Sequence, residues 1–335
     1  MRAPAANRNA VGVALVIGSA CCFGTLGVFG KLAYRLGLST PQLLSYRFAL
    51  AALLLWLAAA VMRQGLPPRR RLVGLAIMGG AGYVGQSGSY FTALHFIPAS
   101  TNALLLYTFP VAVTLLAAVL FHESLGWKKL AACVLAFLGT VLVVEAQLHA
   151  AAPRGILLGL GSAAFYSGYI LYGSRLLPGL PPVSATACIM TSAAVVWTGY
   201  AAVTGQLAVD WTVPRIALIV SFAVLGTTIP VLTFILGLRL VGPSRAAILS
   251  TFEPASTVLL AVVILGEMAS PIQYLGGALI SGASGARLVR YGPERDDLNA
   301  EDTQKRHDVG RRRRGACRRL RVDRGERKAD LVPPV

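Results

Sequence analysis

Ten residues between Leu94 and Glu123 recur 144 positions later with no gap. Leu94, Ser100, Ala103, Leu105, Pro110, Leu115, Leu116, Ala117, Val119 and Glu123 return as Leu238, Ser244, Ala247, Leu249, Pro254, Leu259, Leu260, Ala261, Val263 and Glu267. A fixed offset held over such a stretch marks two copies of one structural unit. The copies sit in a chain that is 55% hydrophobic and 13% charged. With a mean hydropathy of +0.64, there is too little charge to clothe a soluble body of this length. The chain is therefore expected to place two like units in a lipid bilayer.

Charge divides the chain in two. Before Ala286 there are sixteen Lys or Arg and only five acids, Glu123, Glu145, Asp210, Glu253 and Glu267; from Arg287 onward there are fifteen and nine. The first part reads as a membrane body and the remainder as a polar tail. The net charge of +17 does not point to nucleic acid, because helices this apolar cannot form a basic, aromatic-interleaved surface. Cys21, Cys22, Cys133, Cys188 and Cys317 form no CxxC pair, so neither a metal site nor a disulfide is expected. The apolar run after Arg2 and Arg8 continues through Phe23, Leu26 and Phe29. That is about 20 residues, spanning length rather than signal-peptide length.

Ten stretches reach the roughly 20 apolar residues that cross a hydrocarbon core: about 11–31, 42–62, 72–94, 99–121, 127–146, 155–176, 183–205, 215–238, 245–266 and 271–289. They are called spans 1 to 10 below. Proline punctuates the breaks at Pro41, Pro67, Pro98, Pro153, Pro181, Pro214, Pro243 and Pro271. With the N-terminus inside, the inner loops hold eleven Lys or Arg, among them Arg69, Arg70, Arg71, Lys128 and Lys129. The outer loops hold four, Lys31, Arg35, Arg154 and Arg215. The asymmetry places both termini in the cytoplasm of a multi-pass plasma-membrane protein. Five spans per copy is an odd number, so the second copy is inverted relative to the first. The expected fold is an all-α integral membrane protein of ten transmembrane helices. It forms two inverted five-helix repeats, 11–146 and 153–289, with a basic, disordered cytoplasmic tail over 290–335. Like halves around a central cavity are a construction of secondary transporters.

Arg47 near the start of span 2 and a Pro midway along spans 4 and 9, Pro110 and Pro254, form a pattern. A Glu also closes each of those spans, at Phe121-His122-Glu123 and Leu265-Gly266-Glu267. In these features the chain resembles the drug/metabolite transporter superfamily, EamA type, over about residues 11–286. The resemblance implies two tandem five-helix units and the export or exchange of small metabolites by alternating access. It fixes no substrate.

Candidate residues follow from what a bilayer does to polar groups. Arg47 and Glu253 are the charges lying well inside apolar segments. A carboxylate at the depth of Glu253 costs at least ~2.5–3.5 kcal/mol unless it faces protein or a wet cavity. Its alternative reading is a protonated Glu bonded to a neighbouring helix; that of Arg47 is a side chain snorkelling to the interface. Pro110 and Pro254 each leave a carbonyl four residues back without a partner, Leu106 and Ser250. Matched helix kinks of this kind point to a midplane site. Tyr83, Gln86 and Tyr90 share one helical face in span 3, and Ser162, Tyr166 and Tyr169 share one in span 6. Tyr107 and Asn102 join them as candidates to line the substrate cavity. For Tyr residues the alternative is an interfacial belt. Glu123 and Glu267 read as helix-end groups: their repeated placement suggests a terminal hydrogen bond or gate contact, and a solvated helix end is the favoured role. The Gly24-x-x-Gly27-x-x-Gly30 stripe reads as helix packing.

Two other classes were weighed against transport. Gly85-Gln86-Ser87-Gly88 matches the GxSG spacing of intramembrane serine proteases, but no histidine lies at depth to act as base, so no enzyme is expected. A non-transporting scaffold or sensor acting through its basic tail is the alternative function. No nucleotide-binding motif is present, and no cofactor is expected. The expected partners are a small-molecule substrate and the bilayer, with anionic lipids attracted to the tail.

Overall fold

The computed structural model describes residues 5–121, 153–241, 252–268 and 270–288, with a few single positions between them. Glu123, most of span 5 and the tail lie outside the described residues. Among the described residues every regular element is a helix. Span 1 comprises α1 (Ala5–Gly24) and α2 (Leu26–Arg35), and span 2 is α3 (Thr40–Val61). Span 3 is α4 (Arg69–Ile77), a π-helical turn (Met78–Tyr83) and α5 (Val84–Ala93). Span 4 is broken into α6 (Ala99–Leu106) and α7 (Phe109–Phe121). Spans 6 and 7 are α8 (Pro153–Leu176) and α9 (Pro182–Val203). Span 8 is α10 (Val213–Ala223), a second π turn (Val224–Thr228) and α11 (Ile229–Val241). The described part of span 9 is α12 (Phe252–Leu260) with a third π turn (Ala261–Leu265), and span 10 is α13 (Pro271–Leu288).

Local chemistry sets the helix starts. Ser39 and Gln42 form a reciprocal capping box at the start of α3, with Pro41 in its first turn. Beyond Arg47 α3 is apolar on every side. Leu43, Leu44, Phe48 and Leu55 are fully buried, while Leu53, Leu57 and Val61 are exposed. Exposure of that kind has no hydrophobic cost in lipid, and five helices among the described residues are long and apolar enough to cross a membrane.

The spans pair by a simple scheme. Span 2 packs against span 7, span 1 against spans 8 and 9, span 3 against span 6, and span 4 against spans 6 and 9. A shift of five spans maps this set of pairs onto itself. The loops sort onto two faces. Gln64 accepts from the backbone N–H groups of Val183 and Ser184, and Arg71 donates to the Leu176 carbonyl, so the 2–3 and 6–7 connections share one face. Arg215 donates to the Leu36 carbonyl and Arg35 to that of Leu265, which joins the 1–2, 7–8 and 9–10 connections on the other.

Close approach depends on small residues. Gly24 faces Ser256 and the Glu253 carbonyl, Gly27 faces Ala99 and the Tyr90 hydroxyl, and Gly30 faces Leu94 and Phe91. The Gly24/Gly27/Gly30 stripe is thus the seam by which span 1 meets spans 9, 4 and 3. Gly79, in the first π turn, lies under the Ile189 carbonyl oxygen of span 7, where a Cβ would collide with backbone. Gly79→Ala is expected to cost about 1–3 kcal/mol by overpacking and to lower the melting temperature in detergent by several degrees. An unchanged melting curve would mean that spans 3 and 7 are not in close backbone contact.

Candidate functional site

The breaks in spans 4 and 9 coincide with the residues their prolines uncouple. Span 4 leaves the α-helix at Tyr107 and Thr108, and span 9 turns at Ser250 just before α12 begins. Positions 106 and 250 differ by 144, the repeat offset. The two breaks are tied together. The Tyr107 hydroxyl donates to Glu253 Oε2 at 2.8 Å, with the Ser250 carbonyl 3.3 Å away. The carbonyl freed by Pro254 therefore keeps partners, the Glu253 N–H at 3.1 Å in its own span and the Tyr107 hydroxyl from the equivalent break in the other half. Glu253 is partly buried in the first turn of α12, where the N-terminal end of a helix favours negative charge. Pro110 lies in the first turn of α7 and Pro254 in that of α12, each just past a break.

Arg47 does not snorkel. It is 1% exposed, and its Nε donates to Thr227 Oγ1 of span 8 at 2.9 Å. Tyr83 lies within electrostatic reach of it. Thr227 and Tyr83 both sit in π turns, one from each half, and Thr227 stands 144 positions after Tyr83. π turns recur at functional sites because they re-aim a side chain without ending the helix. Three rings enclose the guanidinium: Phe222 at 4.4 Å, Phe48 at 4.9 Å and Phe91 at 5.4 Å from its central carbon. Each contact of this kind favours a cation, yet among the described residues no carboxylate pairs with Arg47. Arg47 and Glu253 are not paired here.

An aromatic file connects them. Phe48, beside Arg47, meets Tyr83 at 5.4 Å, and Tyr83 meets Tyr169 at 5.7 Å. Tyr169 stacks on Tyr166 at 5.9 Å, Tyr166 meets Phe109 at 4.8 Å, and Phe109 meets Tyr107 at 5.8 Å. Tyr83 of the span 3 stripe thus meets Tyr169 of the span 6 stripe. A cavity of about 450 Å³ opens beside this file between spans 3 and 6, lined by Met78, Gly82, Phe165, Gly168 and Tyr169 among others. Of the candidate residues only Tyr169 lines it. A second cavity of about 480 Å³, between spans 2 and 7 at Trp56 and Thr191, holds none of them.

The remaining candidates have mixed placements. Tyr90 is 4% exposed and rests on Phe91. Gln86 is partly buried. Asn102 is fully buried and donates to the Tyr90 carbonyl at 2.9 Å, so it stitches span 4 to span 3; its side-chain oxygen has no protein partner. Ser162 is turned back onto its own helix at the Gly159 carbonyl, and the Ser250 hydroxyl onto Ala246. Sequence reasoning missed Thr227 and the ring cage of Phe48, Phe91 and Phe222. The Gly226-Thr227-Thr228 interruption of an otherwise apolar span was the available signal. Glu267 is not a solvated helix end, because it holds the start of α6 through three hydrogen bonds.

Comparison with known proteins fits this architecture. The model of the EamA-like transporter family matches residues 10–145 and again 153–285. The "Uncharacterized transporter YcbK" of Bacillus subtilis is 27% identical over 78% of this chain and 87% of its own. The "Threonine/homoserine exporter RhtA" of Escherichia coli K12 is 26% identical over 80% of this chain and 84% of its own. One solved crystal structure superposes with a TM-score of 0.59 at 22% identity, covering 82% of this chain and 96% of that one, a likeness of fold.

Proposed function

This chain belongs to the EamA-like transporter family, and on that premise we propose that it exports small zwitterionic metabolites, amino acids foremost, by alternating access. The observation that carries this reading is the buried guanidinium of Arg47, which meets the Thr227 hydroxyl and three rings and, among the described residues, no carboxylate. A buried cation without a counter-ion is costly, and a solute carboxylate supplies the missing charge through a bidentate fork. Glu253, at the far end of the aromatic file, supplies the complementary anion for a solute ammonium. The rings of Tyr83, Tyr166 and Tyr169 offer apolar surface and hydroxyls between the two charges, which suits an amphipathic solute.

The units 11–146 and 153–289 rock against each other in this reading as inverted repeats, with both termini in the cytoplasm and the carrier in the plasma membrane. The surplus of Lys and Arg in the inner loops supports that orientation. The direction, export, is that of the threonine/homoserine exporter of Escherichia coli. The basic tail attracts anionic lipids of the inner leaflet.

The test is counterflow in proteoliposomes with labelled threonine, challenged by competitors that lack one charge. Free amino acids are expected to compete. Their methyl esters, which lose the carboxylate, are expected to compete roughly tenfold to hundredfold less well. Esters and free acids competing equally would remove the carboxylate-binding role of Arg47.

A further inference from the structure

Glu267 makes the densest set of side-chain bonds joining spans 4 and 9. Its Oε1 accepts from the Ala99 N–H at 2.7 Å, and its Oε2 accepts from the Ser100 N–H at 3.1 Å and the Ser100 hydroxyl at 2.7 Å. The first residues of α6 have no side-chain cap of their own, since Pro98 precedes them. A carboxylate from another span thus satisfies donors that every helix start leaves open, where the helix dipole favours negative charge. Span 4 begins after three crossings and Glu267 follows the ninth, so this contact lies on the face opposite the N-terminus. Arg35 donates to the Leu265 carbonyl on the same face, and Lys31 lies within electrostatic reach of Glu267.

The same two half-helices are tied at their other ends. α6 runs from the Glu267 contact to Tyr107, and the helical run 252–265 leads from Glu253 to Glu267. Tyr107 holds Glu253 at the midplane, and Glu267 holds Ala99 and Ser100 at the rim. Two ties on antiparallel segments about seven to fourteen residues long make a closed clamp, and at 1.5 Å per residue its span is roughly 10–20 Å. With both ties made, spans 4 and 9 are held together from that face to the break.

We propose that Glu267 is the latch of this face and a positioning residue for transport: it holds α6 so that Tyr107 meets Glu253, and it must release α6 for the face to open. The inference rests on the alternating-access reading above but not on the proposed solute. Charge-assisted bonds to backbone donors bias the closed arrangement by differential contact, which is what a gate requires. Opening breaks three bonds to one carboxylate, and water at the rim then solvates it.

The test is sided thiol labelling of the full-length carrier with its five native cysteines replaced. The probe is Ala103→Cys, one turn in from Ser100 and 4% exposed, treated with a membrane-impermeant methanethiosulfonate on the face opposite the N-terminus. Glu267→Ala is expected to raise the labelling rate by about tenfold or more relative to the intact latch. Ser100→Ala removes one bond of the three and keeps the carboxylate, so it should give a smaller rise and serves if Glu267→Ala does not assemble. Equal labelling of Ala103→Cys with and without these changes would overturn the latch. No solute is needed, so faster labelling in a carrier that fails to move threonine would retain the latch and refute the solute assignment.

Discussion

Arg47→Met is expected to abolish carboxylate transport while leaving the protein at least as stable as before. Met keeps much of the length and leaves an apolar side chain among Phe48, Phe91 and Phe222, the rings around the present guanidinium. What it removes is a charge that is 1% exposed and, among the described residues, has no carboxylate paired with it. A buried cation carries a desolvation penalty that a hydrophobe of similar volume does not, so stability should not fall. Transport should fall by roughly a hundredfold or more, because the solute then loses its charge-assisted anchor. Arg47→Lys should impair transport as well, since an ammonium cannot reproduce the planar fork or its stacking on rings. A structural Arg47 would behave in the opposite way, with melting temperature falling and residual transport tracking the amount of folded protein. Thermal melts in detergent and counterflow on the same preparations separate the two.

How much of this was legible beforehand depends on what each feature rests on. Spans 2, 6 and 7 were legible to within a few residues, because span length is set by the bilayer and their ends carry Pro41, Pro153 and Pro181. The breaks at Tyr107 and Ser250 were legible from Pro110 and Pro254, since a missing N–H acts locally. The π turns were not: Met78–Tyr83 and Val224–Thr228 are held by tertiary contacts, such as Gly79 under span 7, that no periodicity encodes. Arg47 illustrates the same limit. Eight residues into its helix, it was equally able to snorkel or turn inward, and a hydroxyl 180 positions away settles which. Glu267 looked like a solvated end because its partners, Ala99 and Ser100, are distant in sequence. The repeat offset was the clue available, for it pairs Tyr83 with Thr227 and brings two otherwise ordinary residues to one guanidinium.

Glu253→Gln is expected to change which solutes are carried more than whether the protein folds. The amide retains an oxygen that can accept from Tyr107, so the tie between the two broken spans survives in outline. What disappears is the negative charge offered to a solute ammonium. Threonine transport should drop by roughly tenfold to hundredfold, the usual effect of losing a hydrogen bond to a charged group. A hydroxy acid of the same size, which carries the carboxylate but no ammonium, should be moved no less well than by the parent protein. Tyr107→Phe makes the complementary change. It keeps the ring against Phe109 and takes the hydroxyl donor from Glu253, while the Ser250 carbonyl keeps the Glu253 N–H. That variant should weaken both solutes alike, because it loosens the clamp without altering the charge in the site. Equal losses for threonine and the hydroxy acid in Glu253→Gln would place Glu253 with Tyr107 as a structural tie and leave the ammonium without a partner in this site.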